Sequence, residues 1–131
     1  MEQEGSGAIR TRVLLCDDTR DIILLLGAEF DLHSDLEVIA EAANGRDAVA
    51  LAQRLQPDVV VLDLTMPEMD GLEALPQIIG ASPDTKVVVL SNLDAQTVAP
   101  HVMALGAARY IEKGASACDS ARIVQDVARA S

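Results

Sequence analysis

The sequence predicts an α/β fold built on a parallel sheet. Three observations carry this. Five short apolar runs recur along the chain, each followed by a stretch of helical character. One of them, Val59-Val60-Val61-Leu62, is apolar without alternation, as a strand covered on both faces is. The runs end in polar residues with chemical capacity, where open α/β sheets place their sites. Strand–helix alternation repeated five times implies right-handed crossovers and a sheet sandwiched between helices.

The elements follow in order. Residues 1 to about 10 contain Gly5-Ser6-Gly7 and no periodic pattern, so residues 1–11 are assigned as a flexible tail and residues 12–131 as the domain. Residues 13–16 form the first strand, ending in Asp17-Asp18. Residues 21–32 form a helix and residues 37–40 the second strand. Asn44-Gly45 makes a turn before a helix that runs through Leu55 and is stopped by Pro57. The third strand, 59–62, runs into Asp63. A short helix over 72–79 is closed by Gly80. Residues 86–90 are the fourth strand, and the helix after it ends at Gly106 as its C-cap. Residues 109–112 are the fifth strand, and 117–130 the closing helix. Pro100 removes a backbone donor inside the fourth helix, which is therefore expected to kink or to start late. The expected architecture is a flavodoxin-like (βα)5 doubly wound sheet of strand order 2-1-3-4-5. Its site would lie at the carboxyl ends of the first and third strands.

A chain of 131 residues is about one domain. Half its residues are apolar, yet Phe30 and Tyr110 are the only aromatics, so the core must be built from Val, Leu, Ile and Ala. A net charge of −11 argues against direct contact with nucleic acid and against docking on anionic lipid. No apolar run approaches membrane-spanning length, the first residues carry Glu2 and Glu4 instead of a signal peptide, and a cytoplasmic setting is expected. Cys16 and Cys118 have neither disulfide-framework nor metal-ligand spacing, and Cys16 reads as an inert core thiol. His33 and His101 lie away from the expected site.

Asp17, Asp18 and Asp63 converge from two strand ends. Gathered carboxylates repel unless a cation or a proton is shared among them. Oxygen-only ligands suit a hard divalent ion, Mg²⁺ rather than zinc. The fourth strand finishes in Ser91-Asn92 and the fifth in Glu112-Lys113, adding a hydroxyl and an ammonium. Taken singly these residues say little: a strand-end Asp such as Asp17, Asp18 or Asp94 is often a helix N-cap, and a lone lysine is usually solvated. Acid pair, lone acid, hydroxyl and lysine arriving in that order, with Met66-Pro67 and Asp70-Gly71 after the third strand, are a specific conjunction. From about residue 12 to 130 the chain resembles the receiver domains of two-component response regulators.

The resemblance implies a phosphorylation-dependent signalling switch. Asp63 would be the phospho-acceptor, attacking a phosphoryl group in line to form an acyl phosphate. Asp17, Asp18 and Asp63, with the backbone carbonyl of Thr65, would hold Mg²⁺. Lys113 would pair with Asp63 before reaction and with a phosphoryl oxygen after it. Ser91 would swing its hydroxyl onto another phosphoryl oxygen, and Tyr110 would rotate inward into the vacated space. The implied partners are a sensor histidine kinase or phosphotransfer protein upstream and an unknown output protein or effector domain downstream. A rival reading is a phosphohydrolase with an aspartyl-phosphate intermediate. Such enzymes usually carry a second Asp two residues past the nucleophile, where this chain has Thr65. A nucleotide or flavin binder is disfavoured by the lack of a Gly-rich phosphate loop.

The chain departs from the family at three places. Gly114 stands where many receivers have proline, so a trans peptide is expected after Lys113. Asn92 is bulkier than the Ala or Gly common there and would crowd the phosphoryl site. Pro100 falls in the family's usual moving helix. Finally, residues 22–26 are an unbroken apolar run that at about 100° per residue goes right round the first helix. Either the last helix covers it, or Ile23 and Leu24, extended by Ile123 and Val127, make a homodimer or partner face.

Overall fold

The computed structural model describes residues 10–130. Ten elements alternate along the chain: β1 (Thr11–Cys16), α1 (Arg20–Asp31), β2 (Leu36–Ala42), α2 (Gly45–Leu55), β3 (Val59–Asp63), α3 (Gly71–Ala81), β4 (Lys86–Ser91), α4 (Ala95–Ala104), β5 (Arg109–Glu112) and α5 (Ala117–Arg129). The five strands are parallel in the order β2-β1-β3-β4-β5, as the sequence predicts. Nearly all of the expected tail lies outside the described residues. Thr11, assigned to it, instead opens β1, paired with Leu36.

The strand pleat divides the core in two. Val13, Leu15, Val59, Val61, Val88 and Leu90 face α1 and α5, where they meet Ile23, Leu26, Phe30, Ala121 and Val124. Leu14, Cys16, Val60, Leu62, Val87 and Val89 face α2, α3 and α4, meeting Ala48, Ala52, Leu75, Ile78 and Val102. All five residues of β3 are buried, which explains its unbroken apolar run and the burial of the carboxylate that ends it. Burying each such Val or Leu side chain contributes about 1.5–3 kcal/mol. Cys16 belongs to this core, and burial pushes its thiol well above the usual range, so it stays protonated. Cys118 is exposed.

Several helix boundaries differ from expectation. α4 starts at Ala95, not late: Asp94 caps it by accepting from the Gln96 N–H, and the helix runs through Pro100. α3 likewise runs through Pro76, which the sequence reading passed over. Both prolines are exposed, so their rings point away from the core. α3 continues past Gly80 to Ala81 because Ser82 closes it, donating its N–H to the Ile78 carbonyl. Leu105 is the C-cap of α4, and Gly106 follows it at φ +112°, a conformation suited to glycine. Among the described residues there is no cis peptide bond.

The apolar run in α1 resolves differently from the expectation. Ile23 and Val127 are buried, so neither belongs to a surface patch; the residues left outward are Leu24 and Leu25, 55% and 57% exposed. Among the described residues no helix is long and apolar enough to cross a membrane.

Candidate functional site

The three acids meet at the carboxyl edge of the sheet. Backbone pairing carries β1 one residue past its end, the Asp17 N–H donating to the Ala42 carbonyl at 3.0 Å. Asp17 is 5% exposed and Asp63 2%. Asp17 Oδ1 accepts from the Thr19 N–H at 2.8 Å, and Asp63 Oδ1 from the Thr65 N–H at 3.1 Å. Their other oxygens turn toward one ammonium: Lys113 Nζ lies 3.0 Å from Asp17 Oδ2 and 3.1 Å from Asp63 Oδ2. Asp18 is exposed, yet it too brings an oxygen into a cluster in which all three carboxylates lie within 4.8 Å of one another. None of these acids is the N-cap of α1, which is Thr19; of the Asp residues with that alternative, Asp94 alone takes the capping role.

Three carboxyl groups meet a single ammonium at the site. Burial pushes the Asp63 carboxyl above its ordinary value, the Asp17 charge pushes the same way, and the Thr65 N–H and Lys113 only partly offset them. Lys113 moves upward as well: burial alone would lower it, but pairing with Asp17 and Asp63 outweighs that. Asp17 Oδ2 is the one buried side-chain oxygen or nitrogen, among the described residues, without a hydrogen-bond partner. Lys113 Nζ, 3.0 Å away, is its charge partner. An all-oxygen acidic cluster, beside an open cleft of about 210 Å³ lined by Asp17, Asp18, Arg20 and Glu41, fits a hard divalent cation with room for water.

The neighbouring strands deliver the remaining residues. Asp63 is paired with Leu90, so Ser91 lies one step further along the same edge. The Lys113 N–H donates to the Ser91 carbonyl at 2.9 Å, extending the β4–β5 ladder and fixing the lysine. Ser91 is buried, and its Oγ accepts from the Leu93 N–H at 3.2 Å. The half-buried Tyr110 donates its hydroxyl to the carbonyl of the same Leu93 at 2.6 Å. Thr65, expected through its carbonyl, meets the cluster through its N–H. His33 lies between α1 and α5, against Glu29 and Gln125, and His101 is exposed.

Two features escaped the sequence reading. Leu93 joins Ser91 to Tyr110 through main-chain atoms, which no side-chain pattern announces. Gly71 packs its bare Cα against the end of β3: a Cβ there would overlap the Asp63 carbonyl oxygen and lie 2.6 Å from Leu64 Cα. Asp70 beside it caps α3 by accepting from the Glu73 N–H at 2.9 Å. The Asp-Gly pair thus starts a helix close under Asp63.

Residues 13–127 match the family described as response regulator receiver domain. The chain is 40% identical over 115 residues to the transcriptional regulatory protein LiaR of Bacillus subtilis, a match spanning 87% of this chain and 54% of LiaR. It is 48% identical over 80 residues to the chemotaxis protein CheY of Listeria monocytogenes, covering 61% of this chain and 67% of that protein. The crystal structure of the CheX-CheY-BeF3-Mg+2 complex from Borrelia burgdorferi shares the fold with a TM-score of 0.84 at 28% identity, over 91% of this chain and 90% of that one. The chain spans about half the length of LiaR. With the match running from β1 into α5 and enclosing the acids, the hydroxyl and the lysine, the chain belongs to the response-regulator receiver-domain family.

Proposed function

We propose that this receiver is a phosphorylation-dependent switch with Asp63 as its acceptor. The observation that carries this is the Asp63 carboxylate itself. It is buried at the end of the central strand, held by the Thr65 N–H, and set 3.1 Å from Lys113 within an acidic cluster. In the reaction an Asp63 oxygen forms a bond to phosphorus as the bond from phosphorus to the donor atom breaks, the donor leaving with that electron pair. Asp17, Asp18, Asp63 and the Thr65 carbonyl would hold Mg²⁺, which supplies charge neutralisation on the phosphoryl oxygens. Lys113 offers a point charge to one of those oxygens. Ser91 gives up its bond from the Leu93 N–H and donates to another, and Tyr110 leaves the Leu93 carbonyl to turn inward.

The donor would be a sensor histidine kinase, a phosphotransfer protein or a small phosphodonor. The output would be an altered surface read by another protein or by an effector domain, in a cytoplasmic phosphorelay. Catalysis is confined to accepting the phosphoryl group and assisting its hydrolysis; the exposed Thr65 gives no general acid for a turnover phosphohydrolase. Incubation with acetyl phosphate and Mg²⁺, followed by mass spectrometry, should show one phosphoryl group per chain in the native protein and none in Asp63→Ala. Undiminished uptake by Asp63→Ala would reject the assignment.

A further inference from the structure

The loop between β3 and α3 carries Thr65, and it is fastened at both ends. The Gly71 N–H donates to the Leu64 carbonyl at 2.8 Å and closes its base, while the Met69 N–H donates to the Pro67 carbonyl at 2.8 Å near its tip. Glu68 between them sits at φ +67°, in the left-handed region. At the tip the loop rests against another element, the first residue of α2. A Cβ built on Gly45 would overlap the Met69 carbonyl oxygen and lie 2.7 Å from its carbon and 2.8 Å from Met69 Cβ.

Gly45 is not there for its conformational freedom. Its φ is outside the left-handed region, and it is helical, with Asn44 as N-cap accepting from the Asp47 N–H at 2.8 Å. Any residue can adopt that backbone, and most would favour the helix more than glycine does. What requires glycine is the approach of Met69. The atoms a side chain would strike are main chain and Cβ, so no rotamer change relieves the overlap. On the other side α2 is anchored in the core by the fully buried Ala48 and Ala52. The helix is therefore the fixed member and the loop the one that must move.

We propose that Gly45 is a positioning residue for the acceptor site. The bare start of α2 seats Met69, which sets the loop so that the Thr65 N–H holds Asp63 Oδ1 and its carbonyl stands ready as a metal ligand. The metal part of this rests on the function proposed above; the hydrogen-bond part does not. Outer residues that orient ligands typically change metal affinity by about 10–100-fold when replaced.

The test compares Gly45→Ala with two controls. Gly80→Ala adds a Cβ that meets nothing within 4 Å, and Val124→Ala weakens the core far from the loop. In metal-free protein, amide hydrogen exchange at Thr65 should quicken at least about tenfold in Gly45→Ala relative to the β3 and β4 amides, and in neither control. Titration with Mg²⁺ followed by amide NMR shifts should show affinity about tenfold weaker in Gly45→Ala alone. Thr65 exchange equal to that of Gly80→Ala would overturn the proposal. So would a Gly45→Ala chain that exchanges everywhere at once, which would assign the contact to global stability. If the native protein ignores Mg²⁺, the metal reading of the acids fails while Thr65 exchange still decides the role of Gly45.

Discussion

Removing the charge on Asp63 should make the metal-free protein more stable. The folded-state carboxyl is raised from 3.8, first by burial and then by the charge of Asp17, so the folded chain holds the Asp63 proton more tightly than the unfolded chain does. A carboxyl raised in this sense contributes most below pH 3.8, where it is protonated in both states. Its contribution falls as pH rises through the folded-state midpoint, and at neutral pH the ionised group works against the fold. Each tenfold gain in proton affinity corresponds to about 1.4 kcal/mol. Asp63→Asn keeps the shape and an oxygen to accept from Thr65, and it leaves Lys113 paired with Asp17 at 3.0 Å. It forgoes the 3.1 Å pair with Lys113, which sets off part of the gain. A net stabilisation of about 1 kcal/mol is expected, or roughly 3–5 °C in Tm for a chain of this size. The assay is thermal or urea unfolding of both proteins from pH 4 to 8, with EDTA and with millimolar Mg²⁺. The two proteins should converge near pH 4 and diverge toward neutrality. Mg²⁺ should stabilise the native protein by about 2.7 kcal/mol at a hundredfold excess over its Kd, raising its Tm, and should stabilise Asp63→Asn much less. A native protein at least as stable as Asp63→Asn at pH 7 without metal would refute the claim that burial and the Asp17 charge oppose ionisation of Asp63.

Lys113→Met should destabilise by about 3 kcal/mol at neutral pH, because Asp17 and Asp63 would be left buried without their cation; urea unfolding measures it. Lys113 titrates above 10.5 in the fold, so its stabilisation is complete below that pH and should fade only as pH climbs beyond it. Tyr110 is the only tyrosine and the chain has no tryptophan, so ultraviolet fluorescence reports the ring directly. Beryllofluoride with Mg²⁺ should change that emission in the native protein and leave it nearly unchanged in Ser91→Ala. Leu24→Glu, at an exposed site, should alter stability by less than about 0.5 kcal/mol and weaken self-association in sedimentation. A native protein that stays monomeric at high concentration would refute a dimer on this face.

What could be read in advance follows from where the information sits. Strand order and the acid cluster were legible because apolar runs mark the buried strands and the register of a parallel sheet sets their ends side by side. Asp17, Asp63, Ser91 and Lys113 each lie at or just past such an end. Helix ends were less legible, since single glycines and prolines are weak signals beside packing: α3 passes Gly80 and Pro76, and α4 passes Pro100. The exposed pair on α1 was misplaced by one residue, because an apolar run alone does not give the helix its rotation. Contacts made by the main chain were not legible at all. The Asn44-Gly45 pair reads as a turn by composition, yet it is a cap and a helix start whose glycine answers to a carbonyl 24 positions further on.

That last kind of contact also bears on how a charge at Asp63 would reach the surface. Ser91 Oγ and Tyr110 Oη are held by the N–H and the carbonyl of one residue, Leu93. Leu93 is in the connection from β4 to α4, one position before the Asp94 cap. In the proposed switch, drawing the Ser91 hydroxyl toward a phosphoryl oxygen removes the acceptor of the Leu93 N–H. Turning Tyr110 inward removes the donor to its carbonyl. Each bond contributes about 0.5–1.5 kcal/mol, so the unphosphorylated arrangement is held by a few kcal/mol at most. That is the range in which one new charge-assisted hydrogen bond at the phosphoryl group can reverse a two-state balance. Both bonds converge on one residue, through the two peptides that flank its Cα. Releasing either therefore loosens the support of the other, and the start of α4 is the element positioned to respond.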